Sequence, residues 1–229
     1  MTHCKHGTLV VFEGAEGVGK TTQARKLTVL LEALGQPCLQ LREPGGTAIG
    51  EAIRQLLLEP DRTLAPATEA LLFMASRGEL VSSRIRPALE QGTTVVLDRF
   101  FLSTYAYQIA GRELDEKYVR AANQMAAGGL VPDVTIFLDM PVEAGLARAS
   151  ERGVQDRMEM AGDDFHHRVE AAFRTFTSHE WQREHPECGP IMRVDANGPE
   201  DDVFARVAAV LRSIRPETFG GLTEGSHSI

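Results

Sequence analysis

The fold is decided by the stretch Gly14-Ala-Glu-Gly-Val-Gly-Lys20-Thr21, which matches the pattern G-x-x-x-x-G-K-[ST] of a phosphate-binding loop. Its glycines let the backbone curl so that successive N–H groups face a phosphate. The apolar run Thr8–Phe12 before the loop predicts a buried strand, and Thr22–Leu34 after it predicts a helix. The N-terminal end of that helix carries a partial positive charge that favours an anion. The stretch therefore predicts a nucleoside triphosphate site.

Outward from the loop, strands and helices alternate along the chain. Further strands are predicted at Cys38–Leu41, Thr94–Leu97, Val134–Leu138 and Ile191–Val194. Helices are predicted at Ala48–Leu58, at Ala67–Gln91 with a break near Pro87, and at Ser103–Ile109, Glu116–Ala127, Val142–Ser150, Asp164–Glu184 and Glu200–Ile214. This alternation predicts right-handed crossovers and a parallel sheet covered by helices on both faces. We therefore predict an α/β fold, a three-layer P-loop NTPase sandwich around a five-stranded parallel sheet.

The length of 229 residues suits a single α/β domain, which we predict over residues 1–215. A small lid is expected at about residues 148–162, where arginines follow the fourth predicted strand and its helix. Residues 216–229 turn to Gly, Ser and Thr and are predicted to form a disordered tail.

Composition excludes several classes of protein. The net charge of −8 argues against binding a nucleic acid polymer, which requires a basic surface, although a local arginine cluster can still bind one nucleotide. No apolar run is long enough to span a membrane, and the first residues lack the apolar segment of a secretory signal. The three cysteines, Cys4, Cys38 and Cys188, are far apart and form no metal-binding pair. We therefore expect a cytoplasmic protein with reduced thiols.

Within the loop, chemistry assigns distinct roles to two residues. Lys20 supplies a positive charge at the β and γ phosphates, and the hydroxyl of Thr21 suits Mg²⁺. The predicted ATP-binding residues are Gly14, Ala15, Glu16, Gly17, Val18, Gly19, Lys20, Thr21 and Thr22. Thr21 and Asp98 are the predicted magnesium ligands, directly or through water, although Asp98 could instead cap a helix.

The loop does not by itself name a reaction, because GTPases, motors and kinases share it. A guanine-binding N-K-x-D motif does not begin at Asn123 or at Asn197. An ATPase would favour two acids at the end of an apolar strand, whereas here the strand ends Leu97-Asp98-Arg99. An arginine beside the magnesium site suits a second ligand that carries phosphate better than it suits attack by water.

Three further stretches narrow the choice. They are Arg42-Glu-Pro-Gly-Gly46, the pattern L-x-F-x-A-x-R at Leu71–Arg77, and D-R-x-x-x-S-x-x-A-Y-Q at Asp98–Gln108. Together with the loop, and in this order, they resemble the bacterial thymidylate kinases, which transfer phosphate from ATP to dTMP. The resemblance runs from about Thr8 to Leu211, which is nearly the whole chain.

The resemblance implies a role for each candidate substrate residue. Phe73 would stack on thymine, Arg77 would donate to a thymine carbonyl, and Thr104 with Gln108 would bind the remaining edge of the base. Tyr107 would pack against the deoxyribose and disfavour a 2′-hydroxyl. The acceptor side comprises Glu43, Pro44, Arg54, Phe73, Arg77, Arg99, Thr104, Tyr107 and Gln108, with Arg99 and Arg54 on the phosphate and Glu43 near the sugar and the metal.

Taken singly, these residues have ordinary structural interpretations. A lone phenylalanine such as Phe73 usually belongs to a core, and arginines such as Arg54 usually lie on the surface. One pocket at the switch point of a parallel sheet would explain all of them together. The chain also departs from the family at Phe100, where tyrosine or histidine is common, so a side-chain hydrogen bond there is in doubt.

The phosphate-binding loop carries Glu16 rather than a basic residue, so the loop itself offers no arginine for the transferred phosphoryl group. The lid arginines Arg152 and Arg148 are the expected replacement, as in the similar subgroup of the family whose catalytic arginine lies in the lid. Arg157 is expected to pair with Asp156 or Glu159. The predicted catalytic residues are thus Lys20, Arg99, Arg152 and Arg148.

The expected reaction is ATP + dTMP → ADP + dTDP, with Mg²⁺ and two small nucleotides as partners. Two alternatives remain open at this point: a P-loop kinase with another acceptor, and a switch module that hydrolyses its nucleotide slowly. The resemblance further implies a homodimer, for which the helices Ala67–Gln91 and Glu116–Ala127 could offer an apolar face, although periodicity cannot separate an interface from a core.

Overall fold

The computed structural model describes residues 6–141, 144, 145, 147, 148, 157, 158 and 160–222. Its strands are β1 (Leu9–Glu13), β2 (Cys38–Arg42), β3 (Thr94–Asp98), β4 (Val134–Asp139) and β5 (Ile191–Asp195). They form a parallel sheet in the order β2-β3-β1-β4-β5. The predicted α/β fold with a five-stranded parallel sheet is confirmed.

The strands form where the sequence is apolar and β-branched. Both β1 and β3 are buried along their whole length, as central strands of a sheet covered on both faces must be. In the register of the sheet, Phe12 lies level with Asp98, and Asp98 lies level with Arg42 on the other side. The chain leaves β1 towards β2 on one side, whereas β4 pairs with β1 on the other. This reversal opens a crevice at the carboxyl ends of β1 and β3.

Helices cover both faces of the sheet. They are α1 (Lys20–Ala33), α2 (Ala48–Leu58), α3 (Pro66–Leu80), α4 (Arg86–Glu90), α5 (Phe101–Thr104), α6 (Glu116–Ala127), α7 (Asp163–Thr175), α8 (His179–Glu184), α9 (Glu200–Ile214) and α10 (Pro216–Phe219). Alternate residues of β1 enter two separate apolar clusters, Leu9 and Val11 the first, Val10 and Phe12 the second. None of the helices in these described ranges is both long and apolar enough to cross a membrane.

Three predicted helices are divided differently in the structure. The helix predicted at Ser103–Ile109 consists of α5 followed by a π-helical segment at Tyr105–Gly111. Most of the helix predicted at Val142–Ser150 lies outside the described residues. The break in Ala67–Gln91 is a π-helical segment at Val81–Ile85, not Pro87, which lies in the first turn of α4, where a missing N–H is tolerated. The single helix predicted at Asp164–Glu184 is wrong, because α7 ends at Thr175 and α8 begins at His179. The hydroxyl of Ser178 starts α8 by accepting a hydrogen bond from the N–H of Trp181 at 3.2 Å.

The disordered tail predicted from Pro216 is wrong as far as Leu222, and residues 223–229 lie outside the described residues. The chain forms α10 at Pro216–Phe219, and Phe219 and Leu222 are fully buried in the second apolar cluster. Two apolar side chains three residues apart are enough to hold this segment against the domain, and the surrounding glycines concealed them in the sequence. The folded part of the chain therefore extends beyond residue 215.

Candidate active site

The phosphate-binding loop joins β1 to α1, and its backbone conformation depends on glycine. Gly17 and Gly19 have φ angles of +70° and +95°, which other residues adopt only with strain. A side chain at Gly17 would also collide with the backbone, since its Cβ would lie 1.8 Å from the carbonyl oxygen of Gly145. The loop therefore presents main-chain groups, at the positive end of α1, to whatever binds there.

Lys20 opens α1 and is buried beneath the loop. Its Nζ donates to the carbonyl oxygens of Gly14 at 3.1 Å and Ala15 at 2.6 Å. Burial, reinforced by the nearby charge of Arg99, lowers the pKa of Lys20 from 10.5 to about 8, although acidic neighbours oppose that change. The ammonium is thus held by weak carbonyl acceptors that an anion can replace.

Thr21 and Asp98 meet at the floor of the crevice. The Thr21 hydroxyl donates to Asp98 Oδ2 at 2.5 Å, although the two residues are far apart in sequence. Asp98 ends β3 and is 8% exposed, so its carboxylate faces the cleft rather than bulk water. A hydroxyl and a carboxylate side by side are the hard oxygen donors that magnesium prefers.

Arg99 follows β3 in a conformation that is rare for a residue with a side chain, with φ at +71°. Its guanidinium contacts Glu16 Oε1 at 2.5 Å and the Ser103 hydroxyl at 2.9 Å. The Tyr107 hydroxyl donates to the same Glu16 oxygen at 3.0 Å. The unusual backbone thus aims a cation between the phosphate-binding loop and the opposite wall.

Glu13, which sequence reasoning missed, holds this turn in place. Its fully buried carboxylate accepts hydrogen bonds from the N–H groups of Phe100 at 2.8 Å and Ser103 at 3.0 Å, and from the Ser103 hydroxyl at 2.6 Å. The sequence did contain a signal for Glu13, because this acidic residue ends an apolar strand directly before the phosphate-binding loop. Phe100, the departure from the family pattern, is fully buried in the first cluster and makes only a backbone bond here.

Arg77 lies at the far wall with its guanidinium fully engaged by the protein. Nε and Nη2 donate to Glu43 Oε2 at 2.8 and 2.5 Å, and Nη2 also donates to the Phe100 carbonyl at 2.7 Å. Nη1 donates to the Thr104 hydroxyl at 2.9 Å and to the Asn123 side-chain oxygen. Each N–H of the guanidinium therefore already has an acceptor, so a direct bond to a ligand requires the exchange of one of them.

Glu43 lies between this network and the cleft. Its second oxygen, Oε1, is buried without a hydrogen-bond partner in the described part of the chain. Burial raises the pKa of the Glu43 carboxyl above its ordinary value, although Arg77 acts in the opposite direction. Nearby, Arg54 donates to the Pro44 carbonyl at 3.0 Å.

A second buried network lies behind Gln108, and sequence reasoning missed its centre, Glu69. The Glu69 carboxylate accepts from Gln108 Nε2 at 3.1 Å and from Arg112 at 3.0 Å, and it pairs with Arg157 at 2.7 Å. Arg157 was expected to pair with Asp156 or Glu159, both of which lie outside the described residues. Its bond to Glu69 instead ties the end of the lid segment to α3.

The phosphate-binding loop, Asp98, Arg99 and the residues around Arg77 line one continuous cleft of about 670 Å³, a volume within the range of small-ligand sites. The predicted residues among its walls are Glu16, Gly17, Val18, Gly19, Lys20, Thr21, Thr22, Glu43, Pro44, Arg54, Phe73, Arg77, Asp98, Arg99, Thr104, Tyr107, Gln108 and Arg148. Gly14 and Ala15 lie behind this wall and offer their carbonyl oxygens to Lys20. Arg152 lies outside the described residues.

Phe73 is half-buried and belongs to neither apolar cluster. Its packing therefore does not support the interpretation of this ring as a core residue. The cleft also includes residues that the sequence did not suggest. Its walls also contain Ser103 and Met158 and, after β5, Ala196, Gly198 and Pro199. The segment after β5 carries no motif, which is why only the fold reveals it.

The chain is similar to known proteins over most of its length. Residues 12–203 match the family model described as thymidylate kinase. A thymidylate kinase of Synechococcus sp. (strain JA-2-3B'a(2-13)) is 45% identical over 93% of this chain and 98% of its own length. Those of Thermomicrobium roseum and Bifidobacterium longum are each 46% identical, over 89% and 91% of this chain and 95% and 99% of their own lengths.

Proposed function

The chain belongs to the thymidylate kinase family, and on that premise we propose that it transfers the γ-phosphoryl group of ATP to dTMP, giving ADP and dTDP on the route to dTTP. The observation that carries the proposal is the single cleft that joins the phosphate-binding loop to Arg99, Phe73 and Gln108. A module that only hydrolysed its nucleotide would not need the part of the cleft that extends beyond the loop to Phe73 and Gln108.

ATP is proposed to occupy the loop end of the cleft. The loop N–H groups and Lys20 bind the β and γ phosphates, and Thr22 lies beside the same anion. The ammonium of Lys20 gives up the carbonyl oxygens of Gly14 and Ala15 for the phosphate oxygens, because a full negative charge is the stronger acceptor.

Mg²⁺ fits the oxygen donors of Thr21 and Asp98. No cluster of three or more histidine, cysteine or acidic side chains in the described ranges forms a ready metal site. Magnesium does not need one, because it commonly takes one or two protein oxygens and completes its shell with phosphates and water. When bound, the ion would neutralise part of the phosphate charge at the floor of the cleft.

dTMP is proposed to occupy the other end. Phe73 offers a face for the thymine ring, a contact worth about 1–3 kcal/mol in other base-stacking proteins. Tyr107 packs against the deoxyribose, and Arg99 and Arg54 bind the acceptor phosphate. Glu43 and Pro44 border the sugar. Thr104 and Gln108 bind the base edge, and Arg77 contributes either directly, by exchanging one acceptor, or through Thr104.

Transfer then requires alignment and charge neutralisation rather than covalent help. An oxygen of the dTMP phosphate attacks the γ-phosphorus while the bond from that phosphorus to the β–γ bridging oxygen breaks, and ADP leaves with the electron pair. The acceptor phosphate is already anionic, so a strong general base is unnecessary. Lys20, Arg99 and the lid arginines Arg152 and Arg148 reduce repulsion between the two anions.

A homodimer is the proposed assembly. Leu71 on α3 and Tyr118 and Met125 on α6 are 60%, 69% and 81% exposed, and the two helices approach each other at Gly78 and Ala126. Large exposed apolar side chains on neighbouring helices are typical of an interface. Sedimentation should show a dimer for the native chain and a monomer for Met125→Glu; a monomeric native chain would contradict the assembly.

A cytoplasmic location is part of the same proposal. Cys38 and Cys188 are free thiols, which suit a reducing compartment. The negative net charge supports nucleotide partners rather than a nucleic acid polymer.

The test is ADP release from ATP and Mg²⁺ with dTMP, dUMP, UMP, dCMP, dGMP or AMP offered singly. The proposal requires turnover that is greatest with dTMP, weaker with dUMP and close to zero with the others. Turnover with a different acceptor would retain a P-loop kinase but reject the roles of Phe73, Arg77 and Gln108. ADP release that ignored every acceptor would overturn the kinase.

A further inference from the structure

The Glu69 carboxylate determines which end of the Gln108 amide remains for a ligand. A side-chain amide has a donor end and an acceptor end, whereas an ionised carboxylate only accepts. Glu69 takes the Nε2 end at 3.1 Å. If the Gln108 amide were reversed, its oxygen would face the Glu69 carboxylate, two acceptors would meet in a buried site, and a hydrogen bond would be lost. Oε1 is therefore the end of Gln108 that a ligand meets.

Two arginines keep Glu69 ionised. Its side chain is 1% exposed, and Arg157 and Arg112 lie 2.7 and 3.0 Å from Oε2. Burial opposes ionisation, but the hydrogen bonds and charge of Arg112, with further hydrogen bonds from Arg157 and Gln108, outweigh it and lower the pKa of this carboxyl. The acceptor behind Gln108 is thus permanent near neutral pH.

Arg77 leaves Thr104 as a donor, whereas Glu69 leaves Gln108 as an acceptor. Its Nη1 donates to the Thr104 hydroxyl oxygen at 2.9 Å, and a guanidinium has no acceptor to offer in return. The hydroxyl hydrogen of Thr104 is therefore left to donate elsewhere. Thr104 and Gln108 both line the cleft, so one donor and one acceptor face the ligand side by side.

We propose that Glu69 is a positioning residue: it fixes the side-chain amide of Gln108 as an acceptor beside the Thr104 donor on the base-binding wall. This pair complements a pyrimidine with an N3–H and a C4 carbonyl, as in thymine and uracil. Cytosine has an unprotonated N3 and a C4 amino group, the reverse polarity, and meets acceptor against acceptor. The inference rests on the proposed function and extends it, because it assigns a part in base selection to a buried carboxylate that acts through Gln108.

The decisive variant is Glu69→Gln, assayed for kcat/KM with dTMP and with dCMP. A glutamine at this position can donate or accept, so it no longer fixes the orientation of Gln108. We expect the ratio of the two efficiencies to fall by roughly 10-fold or more, as loss of one enforced hydrogen-bond polarity implies. Both acceptors share the same sugar and phosphate, so general damage to the enzyme cancels in the ratio.

Arg157→Gln is the matched control, because it removes a charge from Glu69 Oε2 but leaves the bond from Gln108 to Oε1. It is expected to lower the melting temperature while the dTMP-to-dCMP ratio stays unchanged. In a Gln108→Leu background, Glu69→Gln should change the ratio no further, because Glu69 acts through Gln108.

A folded Glu69→Gln enzyme with the native ratio would overturn the inference and leave Glu69 a structural anchor. If this variant does not fold, Gln108→Leu decides by itself: the inference requires a lower ratio, and an unchanged ratio rejects it. Native enzyme that turns over no dTMP would instead overturn the proposed function, so the two failures are distinguishable.

Discussion

The two ends of the cleft hold their arginines in different ways. At the end proposed for the base, called the base end, the side chains of Arg77 and Glu43 are 3% and 5% exposed, and the guanidinium is fully occupied by protein acceptors. At the end proposed for the phosphates, called the phosphate end, the side chains of Arg99 and Glu16 are 17% and 19% exposed. Among the residues that the structure describes, the hydrogen-bond acceptors of Lys20 there are the carbonyl oxygens of Gly14 and Ala15.

The difference reflects what each end must do. A base is selected by hydrogen-bonding groups whose positions and polarity are fixed, so a buried hydrogen-bond network suits that end of the cleft. A phosphoryl group carries charge that must be matched during transfer, so cations whose present partners can be exchanged suit that end. Changes at the phosphate end should therefore slow the reaction, whereas changes at the base end should reduce stability and selectivity.

The largest expected effect is on rate, from Arg152→Ala. If this lid arginine matches the charge of the transferred group, kcat should fall by about 1,000-fold, the lower range for arginines in that role. The KM for dTMP should change far less, because the acceptor is held by other residues. Steady-state kinetics measures both, with Arg148→Ala assayed alongside. An unchanged kcat would remove Arg152 from the proposed mechanism.

At the base end, Arg77→Leu should mainly reduce stability. It leaves the Glu43 carboxylate buried without its cation, at a cost of about 3–5 kcal/mol in the free energy of unfolding. Replacing Glu43 by Gln in the same chain should restore part of this loss. Denaturant unfolding measures each variant.

The matched change at the phosphate end, Arg99→Leu, should cost less stability, because Glu16 is partly exposed to water and keeps the Tyr107 hydroxyl as a donor. Equal losses in the two variants would erase the contrast between the ends of the cleft.

Ser103→Ala tests how Arg99 is aimed. The hydroxyl accepts from Arg99 at 2.9 Å and donates to buried Glu13 at 2.6 Å, so its loss frees the guanidinium. We expect kcat/KM for dTMP to fall roughly 10-fold, equivalent to about one net hydrogen bond. The apparent affinity for ATP should be nearly unchanged. A uniform loss for both substrates would indicate a damaged cleft rather than a misplaced arginine.

The smallest expected effect is the uptake of protons when ATP binds. Burial, followed by the charge of Arg99, lowers the pKa of Lys20 to about 8 in the ligand-free cleft, and bound triphosphate favours the charged ammonium. ATP binding at pH 8 should therefore take up roughly half a proton, and affinity should weaken as the pH rises further. Calorimetry in two buffers of different ionisation enthalpy measures the uptake. dTMP binding, which relies on arginine, should show much less.

Some parts of the site could be predicted from short stretches alone. The loop motif named Lys20 and Thr21, and the end of an apolar strand marked Asp98, because each requires only local spacing and the period of a strand. The tail was mispredicted for the same reason: local composition around Pro216 suggested disorder, whereas burial of Phe219 is decided by residues far away in the chain.

Glu69 shows what local patterns cannot convey. It lies in the first turn of α3, where an acidic residue usually needs no more explanation than a favourable helix dipole. Its partners Gln108, Arg112 and Arg157 come from distant segments. Only packing of α3 against the segment after α5 turns an ordinary helix acid into the centre of a buried network.

The class of the protein therefore follows from the order of its residues, which predicts the glycine-rich loop, the alternation of strands and helices, and the kinds of side chain that line the cleft. Those features depend on the order and spacing of residues along the chain. Tertiary structure alone decided which donors and acceptors are already used, as at Arg77, and which remain for a ligand. Which hydrogen-bonding groups are occupied depends on distances in space, and Glu43 and Thr104 contact Arg77 only when the chain has folded.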